Sequence, residues 1–428
     1  MQGSYYKISI AYFLFLVGVL CIFGYTPTND GEGYIEYAKV CIAYGEPYPC
    51  YPTIMGKPFI WNIGQINLVA FSLWAFKSLV PLLLLMCALK ALSAYLIARI
   101  AETLFTHKVG LTALLLYVFY PNNWGQSTTI LSEIPAITML LGSILLVLRQ
   151  HKVSLLIVAG LLMGLANWFR PVGLAFLGSV FLYYLFFDRS VLARKFGSLL
   201  GGYVAFILIV GTSCYLRTGY FIYQSDTLWF NMAEATYETS VEPHYNSEMY
   251  PKGTIRYIEN REQKTALECS DIWKERSIEW LKENKMNYLK KVPGRLVYMY
   301  MNDMDNIPAF LSDKSKSENN YITLPYRSLL SNIGTLTGMQ WFGLLNMIYY
   351  VLLLTGFAVA TVRLLARREI RGMFLPVFIA IGGSLALVLA VHGETRFKSP
   401  FMPFIFMMAA VCISQFLADR RKRKLTER

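Results

Sequence analysis

The chain has 428 residues, 55% of them apolar and only 16% charged, with 40 Lys and Arg against 27 Asp and Glu. Soluble domains carry about a quarter charged residues, and a mean hydropathy of +0.41 argues instead for a polytopic, all-α membrane protein. The seven cysteines show neither a CxxC pair nor a Cys/His ligand spacing, which excludes a zinc finger, a ferredoxin-type cluster and a disulfide-rich scaffold.

In chain order, ten apolar runs are candidate membrane spans: 7–25, 79–98, 109–121, 134–148, 153–169, 172–187, 197–216, 341–362, 373–391 and 400–417. A span needs roughly 20 residues and several of these are shorter, so the expected total is about 10 to 12 helices. No small-x-small cleavage pattern follows Phe23, and the first run is expected to stay as an anchor. With the N-terminus inside, the cytoplasmic segments hold 18 basic residues against five acidic ones, an excess equal to the whole formal charge of +13. The charge is then a topology signal of the positive-inside kind. The run Arg420, Arg421, Lys422, Arg423 and Lys424 suits an anionic inner leaflet better than nucleic acid.

This orientation divides the chain into three parts. Residues 1–216 form an N-terminal membrane module whose first outer loop is 26–78, residues 217–340 form an extracytoplasmic stretch, and residues 341–428 form a C-terminal membrane module. The extracytoplasmic stretch has 15 basic and 16 acidic residues, as expected of a long segment that crosses regardless of charge. Within it, 271–291 reads as a helix with Asp271 as N-cap, stopped by Pro293 and Gly294. Its aromatic and cationic mixture fits either an interfacial helix or one packed inside a small domain. In the first outer loop, 31–44 reads as a helix ending at Gly45, and 57–76 as a half-apolar segment along the interface.

Charges at membrane depth are costly and are kept for a reason. Outside the cytoplasmic and extracytoplasmic segments there remain seven cations (Lys39, Lys57, Lys77, Lys90, Arg170, Arg396, Lys398) and six acids (Asp30, Glu32, Glu36, Glu46, Glu133, Glu394). All but Lys90 fall at the outer interface. Lys90 lies within a span, to be explained by snorkelling or an internal partner. Arg396 and Lys398, flanked by His392 and Glu394, would present two cations to a phosphate, or else anchor the last span. Asp30, beside Gly31, Glu32, Gly33 and Tyr34, is either a general base for a hydroxyl or a cap for the following helix. Glu133 before Pro135 can be simply a first-turn residue, and Arg170 an interface anchor. The four histidines, His107, His151, His244 and His392, lack metal-ligand spacing. Asp303 and Asp305 are the candidate for a divalent cation, against a solvated turn. Cys41 and Cys50 share the first outer loop, either as a disulfide in an oxidising compartment or as free thiols.

The motifs resemble those of the GT-C glycosyltransferases, in particular the protein O-mannosyltransferase family and the bacterial enzymes that transfer aminoarabinose to lipid A. The resemblance rests on Asp30-x3-Tyr34-x3-Ala38 with Gly45, on "GKPFIWNIGQ" at 56–65 and on "LSEIPA" at 131–136. It continues through "GLLMGLANWFRPVGL" at 160–174 and "GETRFKSPFMPF" at 393–404. It implies Asp30 as catalytic base and Lys57, Arg396 and Lys398 as donor-phosphate ligands. Glu133, Arg170, Glu32, Tyr34, Glu394 and His392 follow as further site candidates, with Glu32 separated by Gly31 from the acid it would adjoin in the mannosyltransferases. The implied reaction moves a monosaccharide from a polyprenyl-phosphate donor to a hydroxyl acceptor on a lipid, glycan or protein at the extracytoplasmic face of a membrane, as in the bacterial inner membrane, with inversion. No nucleotide pocket is required for it, a divalent cation is left open as a cofactor, and the sequence has neither a GxGxxG after a strand nor a Walker loop. Two other classes need cations at headgroup depth: a lipid-linked oligosaccharide flippase or transporter, which should show internal symmetry, and a polysaccharide polymerase or ligase.

Overall fold

The computed structural model describes residues 2–150, 152–237, 253–311 and 333–426. His151 and His244 therefore lie outside the described residues. The protein is helical, with only two isolated β-bridges, Met55 to Thr265 and Ile60 to Asp226, among the described residues. The helices are α1 (Gln2–Phe23), α2 (Asn29–Tyr44), α3 (Ile63–Phe76), α4 (Val80–Leu104), α5 (His107–Val118), α6 (Glu133–Arg149) and α7 (Val153–Phe169). Then come α8 (Gly173–Phe187), α9 (Leu192–Thr218), α10 (Leu228–Tyr237), α11 (Ala266–Tyr300), α12 (Gly338–Ala366), α13 (Ile370–Ala390) and α14 (Met402–Thr426).

Six of these, α1, α4, α9, α12, α13 and α14, are long and apolar enough to cross a bilayer. The other four predicted spans are also helices, of 12, 17, 17 and 15 residues. At 1.5 Å per residue they reach about 18 to 26 Å, short of a hydrocarbon core of about 30 Å. The last helix is the clearest case of sequence dictating position. Residues 401–411 are apolar on every side apart from Pro403, and 401, 402 and 404–411 are all buried, as an all-round apolar helix at the centre of a bundle must be.

Where helices lie closest, small residues allow it. A Cβ built on Gly160 of α7 would stand 2.0 Å from the Leu199 carbonyl oxygen of α9, and one on Gly202 of α9 would stand 2.1 Å from the Ile157 carbonyl oxygen of α7. The contact is backbone on backbone, the arrangement that glycine permits between membrane helices. Gly202→Val is accordingly expected to cost about 3 kcal/mol through forced separation, read as a lower temperature for heat-induced loss of monodisperse protein. An unchanged temperature would mean that the seam opens without penalty.

The stretch 217–340 departs from expectation at both ends of its long helix. The N-cap is Thr265, not Asp271: Thr265 Oγ1 accepts from Glu268 N at 3.2 Å and Glu268 Oε2 accepts from Thr265 N at 2.6 Å, a reciprocal capping box. Nor does Pro293 end the helix, which runs to Tyr300 because Val292, Arg295 and Met299 are buried in the second half and hold it in place. The bend falls earlier, at Asn284 (φ −112°, ψ 22°). Trp273, fully buried with Phe230, Ile258 and Cys269, makes the first half a packed domain helix.

Candidate active site

The first acidic residue owes its place to a short loop. After α1 ends at Phe23 the chain turns at Gly24, which has φ +67°, and α2 starts on Thr28, whose Oγ1 accepts from Gly31 N at 3.0 Å. Thr28 takes the capping role, and Asp30 stands in the first turn of α2 with its carboxylate committed elsewhere. Its partner is 366 positions away: Arg396 donates from Nη1 to Asp30 Oδ2 at 2.5 Å. Arg396 lies in a single 3-10 turn, Thr395–Lys398, between α13 and α14. Its Nε is 3.1 Å from Glu394 Oε1. Two carboxylates thus share one guanidinium, and the group is only partly covered, the Arg396 side chain being 33% exposed and Asp30 15%.

Beside this group runs a second, buried chain of contacts. Asn62 donates to the Tyr34 hydroxyl at 2.7 Å and to Ser132 Oγ at 2.9 Å. Ser132 touches Glu133, and Glu133 Oε1 pairs with Arg170 at 2.7 Å, with the two side chains 2% and 11% exposed. Arg170 in turn stacks over Phe397, next to Arg396, at 5.6 Å from the ring centre. Burial first, and then the Asp30 and Glu133 carboxylates, push the Tyr34 phenol well above its usual range, so it enters any chemistry as a neutral hydroxyl. Glu32 faces away from Asp30 and accepts from the Tyr25 hydroxyl at 2.8 Å.

The remaining candidates go elsewhere. Lys398 is fully buried, with Nζ 3.0 Å from Asp303 Oδ1 and 2.6 Å from the carbonyls of both Asn302 and Thr395. The same Asp303 accepts from Tyr120. An ammonium so enclosed cannot turn to a substrate phosphate without leaving Asp303 stranded, so we read Lys398 as a strut under the Arg396 turn. The paired-acid reading of Asp303 and Asp305 meets the same obstacle, since Thr395 donates to Asp305 Oδ1 at 2.9 Å. Burial holds the Asp305 carboxyl above the ordinary range, against the opposing pull of Lys398. No group of three metal-ligating side chains occurs among the described residues.

Lys57 reaches neither carboxylate group; its ammonium lies 5.3 Å from the centre of the Tyr37 ring. Tyr37 and Tyr34 both stack edge-on against Trp61, at 5.9 and 5.1 Å. This aromatic wall connects Lys57 to the Asp30 helix. It needs Gly33, where a Cβ would fall 2.3 Å from the Trp61 ring. His392 is buried with Nδ1 3.8 Å from Glu234, which also pairs with Arg256 at 3.5 Å. Lys90 has the internal partners left open above, Asn123 at 2.8 Å and Gln126 at 2.6 Å. A cavity of about 500 Å³ opens near Phe105, Arg368, Arg371 and Gln415, where α4 and α12 end, away from all these groups.

Sequence reasoning passed over Asn62, Ser132, Tyr25, Phe397 and Trp61. "WN" and "LS" stand inside motifs quoted as strings, and the placing of a polar residue beside an apolar run at each is the available signal.

Residues 66–215 match the family model described as dolichyl-phosphate-mannose-protein mannosyltransferase. Over these residues, about a third of its length, the chain is similar to that GT-C glycosyltransferase family. The matched segment contains Glu133 and Arg170 but ends short of both Asp30 and Arg396. With its six long apolar helices among the described residues, the chain is an integral membrane protein. Among solved structures it is similar to the oligosaccharyltransferase of Archaeoglobus fulgidus in the apo form, at a TM-score of 0.48 and 11% identity over 99% of this chain and 52% of that one. The same enzyme tethered to an acceptor peptide containing the NVT sequon gives 0.48 and 13% over 97% and 50%. The chain thus spans about half the length of that protein. None of the curated proteins matches it.

Proposed function

We propose that this protein transfers a monosaccharide from a polyprenyl-phosphate donor to a hydroxyl acceptor at the extracytoplasmic membrane surface, by a single inverting displacement. The observation that carries the proposal is the Asp30–Arg396 contact, a partly exposed carboxylate held by a partly exposed guanidinium at the ends of apolar helices. A sugar on a lipid phosphate already has a good leaving group. What such a reaction needs is a base for the acceptor hydroxyl and a cation for the departing phosphate. Arg396 is suited to both tasks in turn: in the resting state it orients Asp30, and an incoming phosphate competes for the guanidinium and releases the carboxylate to accept a proton. Lys57, across the aromatic wall, is the second phosphate candidate. The positive-inside excess supports placing this face outside, with both termini cytoplasmic.

The test is incubation of the purified full-length protein with a panel of polyprenyl-phosphate monosaccharides and hydroxyl acceptors, scored by release of free polyprenyl phosphate. No release from any monosaccharide donor, with consumption of a diphosphate oligosaccharide instead, would move the protein to a ligase or transporter class.

A charge argument gives one further expectation. Asp30 and Glu394 both lie against Arg396, and two carboxylates beside an incoming phosphate monoanion raise the cost of bringing it close unless a counter-ion screens them. Transfer is therefore expected to rise several-fold on adding Mg²⁺ or Mn²⁺ and to fall with EDTA. Rates indifferent to both would show that Arg396 and Lys57 suffice.

A further inference from the structure

Two thiols lie together at the far end of the helix that carries Asp30. Cys41 is in the last turn of α2 and Cys50 is the N-cap of the one-turn helix Tyr51–Ile54. Their sulfurs are 3.6 Å apart, and the residues are 1% and 0% exposed. Between them the chain reverses at Gly45, which has φ +80°. The loop is pinned from outside: Arg217 of α9 donates to the Pro47 and Pro49 carbonyls at 2.9 and 3.1 Å, and Tyr48 N donates to Asn67 of α3 at 2.9 Å. The sulfurs are thus brought together by a framework that does not depend on them. The other five cysteines have no sulfur neighbour within bonding reach among the described contacts. Closing 3.6 Å to a bond of about 2.05 Å calls for side-chain rotation of both residues.

We propose that Cys41 and Cys50 form a disulfide in the mature protein, a covalent clasp across the first outer loop that fixes the C-terminal end of the Asp30 helix. The proposal rests on the outward placement of this loop argued under Proposed function, because only that side is oxidising. The reaction is thiol–disulfide exchange with a protein or small-molecule disulfide. The Cys50 thiolate attacks one sulfur of the oxidant, the Cys41 thiolate displaces it from the mixed disulfide, and two protons and two electrons leave as two oxidant thiols. The hydrogen bond between the two sulfurs favours this order: it stabilises the Cys50 thiolate and makes Cys41 the thiol that keeps its proton. Once formed, the bond is shielded from reductants by the burial of both residues.

The experiment uses the full chain in its native membranes. Free thiols are blocked with iodoacetamide under denaturing conditions, then the sample is reduced and labelled with N-ethylmaleimide, and the tryptic peptide holding both cysteines is weighed. The expected result is maleimide on both sulfurs and no carbamidomethyl group, with the unreduced peptide about two daltons lighter than the dithiol. Reduction of the purified protein should also lower its melting temperature by about 2–5 °C. Carbamidomethyl groups on both cysteines would overturn the proposal, whatever the effect of reductant. Labelling of Ala43→Cys in intact cells by an impermeant maleimide reports the face separately. An outward loop with reduced cysteines sinks the clasp alone, whereas an inward loop sinks the orientation on which the proposed function depends.

Discussion

Asp30→Asn is expected to reduce sugar transfer by about 10²- to 10⁴-fold, the usual contribution of a positioned general base, while the folded yield stays at the wild-type level. The separation follows from the N-terminus of α2. Thr28, not Asp30, caps the Gly31 amide in the first turn of that helix, so removing the charge does not remove the cap. Arg396 keeps Glu394 as a partner at 3.1 Å, which leaves no stranded cation behind. The loss should appear in kcat, with KM for the donor nearly unchanged or lower, because the freed guanidinium can then hold phosphate without competition. Wild-type turnover by Asp30→Asn would remove the base from the mechanism and return Asp30 to the status of a first-turn residue favoured by the helix dipole.

Lys398→Met should behave in the opposite way, with folding lost and no selective change in donor affinity. The side chains of Lys398 and Asp303 are 0% and 6% exposed, and removing one partner of a buried ion pair costs about 3–5 kcal/mol because the other charge is left uncompensated. Size-exclusion profiles and thermal melts should show this directly. A double change, Lys398→Met with Asp303→Leu, should recover much of the loss, since apolar replacements for a buried pair are often neutral. If Lys398→Met instead melts normally and only raises the donor KM, Lys398 is a phosphate ligand and its enclosure in the resting structure is not its working state.

These two side chains also show how far the sequence could be read. Arg396 and Lys398 stand two apart and looked equivalent, as two cations above a helix start. What distinguishes them is a residue nearly a hundred positions earlier, Asp303, on the turn after α11. Local spacing carries no information about such a partner, and the same holds for Lys90 with Asn123 and Gln126. Local grammar was legible where it was self-contained: α2 ends at Gly45 as its left-handed conformation requires, and the apolar runs became helices. It failed where a stronger local signal lay outside the expected helix. Asp271 is the expected cap, but the Thr265–Glu268 box upstream, with two reciprocal bonds, takes that role. Pro293 is a strong local stop signal, overridden because the residues around it are buried in tertiary contacts that the sequence does not display.

The contact between Asp30 and Arg396 has a consequence for how the protein is made. Its two halves are separated by most of the polypeptide, so a ribosome-bound chain that has already inserted its first helices carries the carboxylate without its guanidinium. If the proposed mechanism holds, nascent protein is inert toward its donor lipid until synthesis has passed Arg396. On that mechanism, competence would arrive in one late step, and chains abandoned midway would consume no donor.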